Sequence, residues 1–320
     1  GRNLYHVSDN LDKTDHLGFF LAETLKSRIA PRLLLSHRRS SKQSRPICLG
    51  YSSSRLRTWF ARRGHSILRG PMNRIFLVAL ISVSISLGSA GLAADKPVHL
   101  FILSGQSNMA GMNPKAGFEP EAKKLFPDAD VVYMKVSRGG QPIRLWVEEF
   151  PAIAKKHNLT VPGKVTGTQF YEPILKQYRE LLVKHPKPAS VTFCWMQGER
   201  DAKEKLSAAY GEALEQLIEN LRRDLKQPQM NFVIGRLSDF GRPDDAEWQN
   251  VRKAQVGLAQ ADKFGAWVDC DDLNDKEKDG VKRNDLHYTK EGYELLGRRF
   301  ARQAKDLISG GEGDAEGRPE

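Results

Sequence analysis

Cysteine is scarce: three occur in 320 residues, and only Cys194 and Cys270 lie beyond the first 71. A small exported domain stapled by disulfides carries more, so this fold depends on an apolar core. Neither Cys-x-x-Cys nor His-x-x-x-His occurs, which removes the usual zinc spacings. No internal repeat is visible, and the body of the chain lacks a charge excess. Of the net charge of +11, residues 1–71 hold 14 Lys and Arg against 4 Asp and Glu, leaving 36 basic and 35 acidic residues in 72–320. The basic character belongs to the leading segment, so the body does not read as a nucleic-acid binder.

That leading segment has arginine pairs (Arg38-Arg39, Arg62-Arg63), a serine patch at 52–54 and no sustained periodicity. It reads as an over-extended start or a disordered leader. From Met72 the pattern changes. Arg74, an apolar core over 75–87 and the small-residue end Gly91-Leu92-Ala93-Ala94 form a complete secretory signal. The expectation is a signal peptide at 72–94, a secreted or periplasmic protein and no stable membrane span after cleavage. The alternative, a membrane anchor at 75–92, is short against the ~20 residues of a span and is broken by serines and glycine. One domain is expected over 95–309, followed by a Gly/Glu-rich tail, 310–320, read as disordered.

Within the domain, apolar runs at 98–103, 130–136, 189–195, 231–237 and 265–270 predict five strands of the kind buried on both faces of a parallel sheet. Helical patterns occupy 168–184, 205–225, 246–262 and 289–307. The clearest places Leu206, Ala209, Tyr210, Ala213, Leu214, Leu217, Ile218, Leu221 and Leu225 on one stripe. Strands alternating with helices predict a three-layer α/β/α sandwich with a five-stranded parallel sheet.

Ligands of such sheets sit beyond the carboxyl ends of the strands. The first strand leads to Gly105-Gln106-Ser107-Asn108, and the second to Arg138-Gly139-Gly140-Gln141. The third leads to Gln197-Gly198-Glu199-Arg200-Asp201, and the fifth to an acidic loop ending in Asn284-Asp285-Leu286-His287. A serine hydroxyl attacks once a base takes its proton, and histidine is tuned for that near neutral pH. Ser107 and His287 fill these roles. Asp285 and Glu199 are both candidates for the carboxylate that orients the imidazole. The main-chain N–H of Ser107, an N–H of Gly139-Gly140 and the Gln197 amide are candidate oxyanion donors. Glycine is expected at 140 so that backbone approaches closely with no Cβ between. The Gly-x-Ser-x-Gly elbow is absent, because Met109 stands where its second glycine belongs.

The blocks FILSGQSNMAG, GGQPIRLW, WMQGERDA and NDLHYTKEGYELLGRRFA resemble the sialate O-acetylesterase and family 6 acetyl xylan esterase branch of the SGNH hydrolases, over about 98–305. The resemblance implies a flavodoxin-like sheet and removal of acetyl groups from sugars through an acetyl-serine intermediate. It matches Ser107 to the nucleophile, His287 to the base, and Gly140 and Gln197 to oxyanion positions. Two departures stand out. Asn284 replaces an aspartate found three residues before the histidine in many relatives, and Arg200 replaces a serine after Gln-Gly-Glu.

The expected activity is therefore an exported carbohydrate O-acetylesterase acting on acetylated xylan, sialic acid or a similar glycan, without cofactor or metal. The alternative is a carbohydrate-binding protein on the same fold that has lost turnover. No long apolar lid appears, which disfavours a lipase. Gln106, Asn108, Gln141, Arg144 and Trp146 are candidate substrate contacts, although Gln141 and Arg144 serve equally to fix their loop. Asp269, Asp271, Asp272, Asn274, Asp275 and Asp279 resemble a calcium loop in composition but lack the EF-hand glycine and glutamate, so they read as a solvated loop. Cys194 and Cys270, ending strands separated by a third, would lie about 9.5 Å apart, beyond disulfide reach, and are expected free.

Overall fold

β1 (Val98–Gly105) reads VHLFILSG and is buried from Leu100 to Gly105. A strand this apolar needs a neighbour at each edge and cover on both faces. It has both. With β2 (Asp130–Ser137), β3 (Ser190–Met196), β4 (Asn231–Gly235) and β5 (Gly265–Val268) it forms one sheet in the order β2-β1-β3-β4-β5, parallel throughout. This computed structural model describes residues 95–163, 167–241 and 243–318. The readings for 1–71 and for the signal at 72–94 lie outside the described residues.

The helices are α1 (Ser107–Gly111), α2 (Phe118–Leu125), α3 (Phe150–Lys156), α4 (Tyr171–Lys184), α5 (Glu199–Lys203), α6 (Ser207–Asp224), α7 (Ala246–Ala261) and α8 (Lys290–Ile308). Alternation along the strands separates two helix layers. Phe101 meets Phe118 of α2 edge-on at 5.0 Å. From the opposite face, Trp195 donates its indole N–H to the Tyr210 hydroxyl of α6 at 3.2 Å. The stripe expected on α6 is buried, including Ala209, Tyr210, Ala213, Leu214 and Leu217. Fully burying one such large apolar side chain stabilises by about 1.5–3 kcal/mol, and both faces of the sheet are lined with them. Two long helices start on side-chain caps: Asp245 accepts from the N–H groups of Glu247 and Trp248, and Thr289 from that of Gly292.

All five expected strands are found, with ends displaced by at most two residues. Cys194 and Cys270 are buried and free; Cys194 lies in β3 and Cys270 two residues beyond the end of β5, with β4 between those strands. Three readings are corrected. The segment after β5 is not a plain loop: β6 (Asp275–Lys278) and β7 (Val281–Asn284) form an antiparallel hairpin. Nor are its first acids simply solvated. Arg236 bridges Asp269 and Asp271, Arg252 pairs with Asp271 at 2.6 Å, and Arg299 with Asp272 at 2.7 Å. The tail is ordered through 318. Its Gly317 carbonyl accepts from Asp269 N–H at 2.8 Å, and Arg318 reaches the Asp269 carboxylate at 2.8 Å. An unpaired sheet edge recruits a covering segment, and here the tail packs beside β5.

Candidate active site

The sheet reverses its winding between β1 and β3, the place where open α/β sheets hold ligands. Gly105, with φ +146°, ends β1 there, and a Cβ on it would come within 1.9 Å of the Met196 carbonyl oxygen. Only glycine permits this contact between the two strand ends. The next residue, Gln106, donates its N–H to that same carbonyl at 2.9 Å. Ser107 then opens α1, half-buried and reachable from solvent.

Gly139 lies against the nucleophile turn; a Cβ on it would sit 3.8 Å from Ser107 Cβ. Gly140 has φ +68°, and a Cβ there would meet nothing within 4 Å. Within the protein itself, backbone conformation already requires glycine here. Among the described residues, the main-chain N–H groups of Ser107 and Gly140 have no acceptor.

One side chain ties the turn to the other loops. Asn108, 1% exposed, donates from Nδ2 to Glu199 Oε1 at 2.9 Å and to the Leu286 carbonyl at 3.1 Å. Its Oδ1 accepts from the Tyr293 hydroxyl at 3.1 Å. The residue after Ser107 is therefore bonded to the residue before His287. The His287 side chain is exposed, and the segment carrying it is pinned from the other side. Asp285 N–H donates to Asn274 O at 3.2 Å and Thr289 N–H to Leu273 O at 3.0 Å, while Asn274 Nδ2 reaches Asp285 O at 2.9 Å.

Neither candidate acid hydrogen-bonds the His287 ring among the described residues. Asp285 accepts from Lys276 Nζ at 2.7 Å and from the main-chain N–H of His287 at 3.4 Å. The Lys276 ammonium holds its carboxyl below the ordinary range. Glu199 is buried, and Oε2 has no hydrogen-bond partner. Burial pushes its carboxyl up to about 7, against the pull of main-chain N–H groups and of Asn108.

Gln197 is fully buried and spends its amide hydrogens inside the protein, with Gln106 Oε1 at 3.1 Å, Gln141 O at 3.2 Å and the Asp201 carboxylate around Nε2. In this arrangement its Nε2 braces the third loop against the nucleophile turn. The expected substrate contacts also have partners within the protein. Gln106 accepts from Gln197 and from Arg200 N–H at 3.2 Å. Asn108 is fully engaged, as described. Gln141 bonds its own loop at Gly139 O, 3.0 Å. Arg144 is buried against Glu204. Trp146, 1% exposed, donates to Ser104 Oγ at 3.0 Å and stacks on Phe170, so it is core and not a sugar platform.

Two residues escaped the sequence reading. Asp201 accepts from Ile143 N–H at 3.0 Å and from Gln197, and burial raises its carboxyl to about 6. It lies inside the WMQGERDA block, four residues after Gln197, one helical turn away. Lys135, a lone cation in the apolar β2 run, donates to the Ala110 and Met112 carbonyls that end α1. Burial lowers its ammonium to about 8.

A parallel sheet of this order, with a serine after β1 and a histidine ahead of the last helix, defines an SGNH-type α/β hydrolase. Residues 111–306 match the family model described as carbohydrate esterase, sialic acid-specific acetylesterase. The chain belongs to that family and is a carboxylic ester hydrolase of the carbohydrate esterase class. It is 27% identical over 211 residues to an Arabidopsis thaliana protein named "Probable carbohydrate esterase", covering 65% of this chain and 68% of that protein. It is 29% identical over 120 residues to an Escherichia coli K12 protein named "Probable 9-O-acetyl-N-acetylneuraminic acid deacetylase", covering 35% and 36% respectively. In fold it is similar to an X-ray structure of an Arabidopsis thaliana protein at TM-score 0.50 and 22% identity, over 67% of this chain and 98% of that one.

Proposed function

We propose that the protein is an exported serine esterase that removes O-acetyl groups from a carbohydrate through an acetyl-serine intermediate. Ser107 Oγ attacks the acetyl carbonyl carbon while the His287 imidazole takes the hydroxyl proton. The carbonyl oxygen becomes an oxyanion facing the N–H groups of Ser107 and Gly140. Collapse breaks the bond to the sugar oxygen, which leaves with the proton from His287. Water then attacks the acetyl carbon while His287 takes its proton, the bond to Ser107 Oγ breaks, Oγ leaves with that proton, and acetate departs.

The observation that carries this reading is the Asn108–Leu286 hydrogen bond, which brings the chain segments of Ser107 and His287 to one place. The family description and the E. coli relative favour an acetylated sialic acid over acetylated xylan as substrate. Hydrolysis of 4-nitrophenyl acetate by the full chain tests the chemistry. Ser107→Ala and His287→Ala are each expected to lose at least about 10³-fold in kcat, and wild-type rates in either would end the proposal. A panel of O-acetylated sialic acid and acetylated xylan tests the substrate. Export rests on the signal-like stretch 72–94, and a secreted product whose N-terminus falls near 95 is the result expected.

A further inference from the structure

Asn108 has two amide hydrogens and spends both on segments distant in sequence, one on Glu199 and one on Leu286. The assignment of its two ends is fixed by chemistry. A main-chain carbonyl only accepts, and the Tyr293 hydroxyl is there to donate to Oδ1. With both side-chain polar atoms bonded and 1% exposure, Asn108 is a strut between α1 and the segment carrying His287. One end of the strut is Glu199 Oε1.

Among the described residues Glu199 makes no hydrogen bond to the imidazole; its Oε1 accepts from Asn108. Its side chain is held at the start of α5, which the Arg200 N–H bond to Gln106 Oε1 ties to the nucleophile turn. The charged or titratable groups that act on it are Asp201 on its own helix, Tyr210 of α6, Tyr293 of α8 and Tyr288 ahead of α8. None of these is a cation. The carboxylate's direct partner is a neutral amide, and an oxygen acceptor at that point is what the strut requires.

We propose that Glu199 is a positioning residue that acts through Asn108: it fixes the amide whose second hydrogen holds Leu286, and so His287, against the nucleophile turn. This rests on the reading of Ser107 and His287 as the reacting pair. Acceptor geometry, not negative charge, is the property used. Glutamine keeps an acceptor oxygen in the same place, whereas alanine does not.

The test is the pH profile of kcat and KM for 4-nitrophenyl acetate with the full chain. The variants are Glu199→Gln, Glu199→Ala, Asn108→Ala and the double alanine, with Ser107→Ala as reference. Glu199→Gln is expected to retain kcat within about threefold. The two alanine variants are each expected to lose about 10- to 100-fold in kcat with little change in KM, and the double variant no more than the worse single, the signature of one shared strut. Two results would overturn the proposal: Glu199→Gln falling as far as Glu199→Ala with its acid limb displaced, or losses that multiply in the double variant. If Glu199→Ala does not fold, comparison of Glu199→Gln with Asn108→Ala decides. An active Ser107→Ala would instead remove the underlying reading, an outcome separate from both.

Discussion

Asn108 and Leu286, separated by 178 positions in the chain, share a 3.1 Å hydrogen bond from side-chain amide to main-chain carbonyl. Each is the immediate neighbour of a residue proposed to react, so the segments carrying Ser107 and His287 are joined by a bond that neither makes. The site is built by neighbours, and its predictions concern them.

Gly140→Ala separates conformation from space. A Cβ at this position meets nothing, but a φ of +68° costs an L-residue about 1–2 kcal/mol. The N–H is expected to swing away from the oxyanion, lowering kcat for acetyl esters by about 10- to 100-fold while KM stays within twofold. Steady-state kinetics beside a urea midpoint distinguish this from unfolding.

Trp146 is expected to behave as core. Trp146→Ala should cost about 3–5 kcal/mol of stability in urea denaturation. Trp146→Phe, which loses the indole bond to Ser104 and part of the packing on Phe170 and Trp195 but keeps an aromatic ring, should leave KM for an acetylated glycan unchanged. A KM raised tenfold in a stably folded Phe variant would restore the stacking role.

Glu199 should be stabilised by removal of its charge. Its carboxyl sits at about 7 in the folded protein against an ordinary 4.5. Unfolding therefore releases a proton between those values, and the stability contribution of Glu199 falls as pH rises through that window. Glu199→Gln does not titrate. Relative to wild type, its urea midpoint is expected to improve between pH 4.5 and pH 8, with most of the gain below about 7.

Lys135 gives the opposite slope. Its ammonium is lowered from 10.5 to about 8 by burial, so the folded state loses the proton first and stability gained from this group rises between about pH 8 and 10.5. Comparison of wild type with Lys135→Met at pH 7.5 and 9.5 should show the difference moving in favour of wild type at the higher pH. A constant difference would mean that the ammonium does not titrate in this range.

Ending the chain at Gly311 removes Asp314, Gly317 and Arg318 and the bonds they make to Gln303 and Asp269. Calorimetry is expected to show a loss of about 1–3 kcal/mol with kcat unchanged. The tail lies beside β5, an edge strand, and not at the β1–β3 switch.

Much of this molecule was written locally. A run such as FILSG is apolar enough to require burial on both faces, and the stripe from Leu206 to Leu225 admits one helical face. The five strands of the parallel sheet and the long helices α4, α6, α7 and α8 follow from period and spacing, whereas the β6-β7 hairpin and the short helices α1, α2, α3 and α5 do not. The family blocks pointed to Ser107, Gly140 and His287, each of which lies beside the end of a periodic segment. What the sequence did not determine was the partner of each polar side chain. Trp146, Arg144, Gln106 and Gln197 look alike as site candidates, and only packing reveals that Trp146 Nε1, Gln106 Oε1 and Gln197 Nε2 are bonded inward and that Arg144 pairs with Glu204. The reason is physical: periodicity reports which face of an element is buried, whereas a hydrogen bond such as Asn108 to Leu286 is decided by where the sheet order and two loops bring atoms within 3 Å.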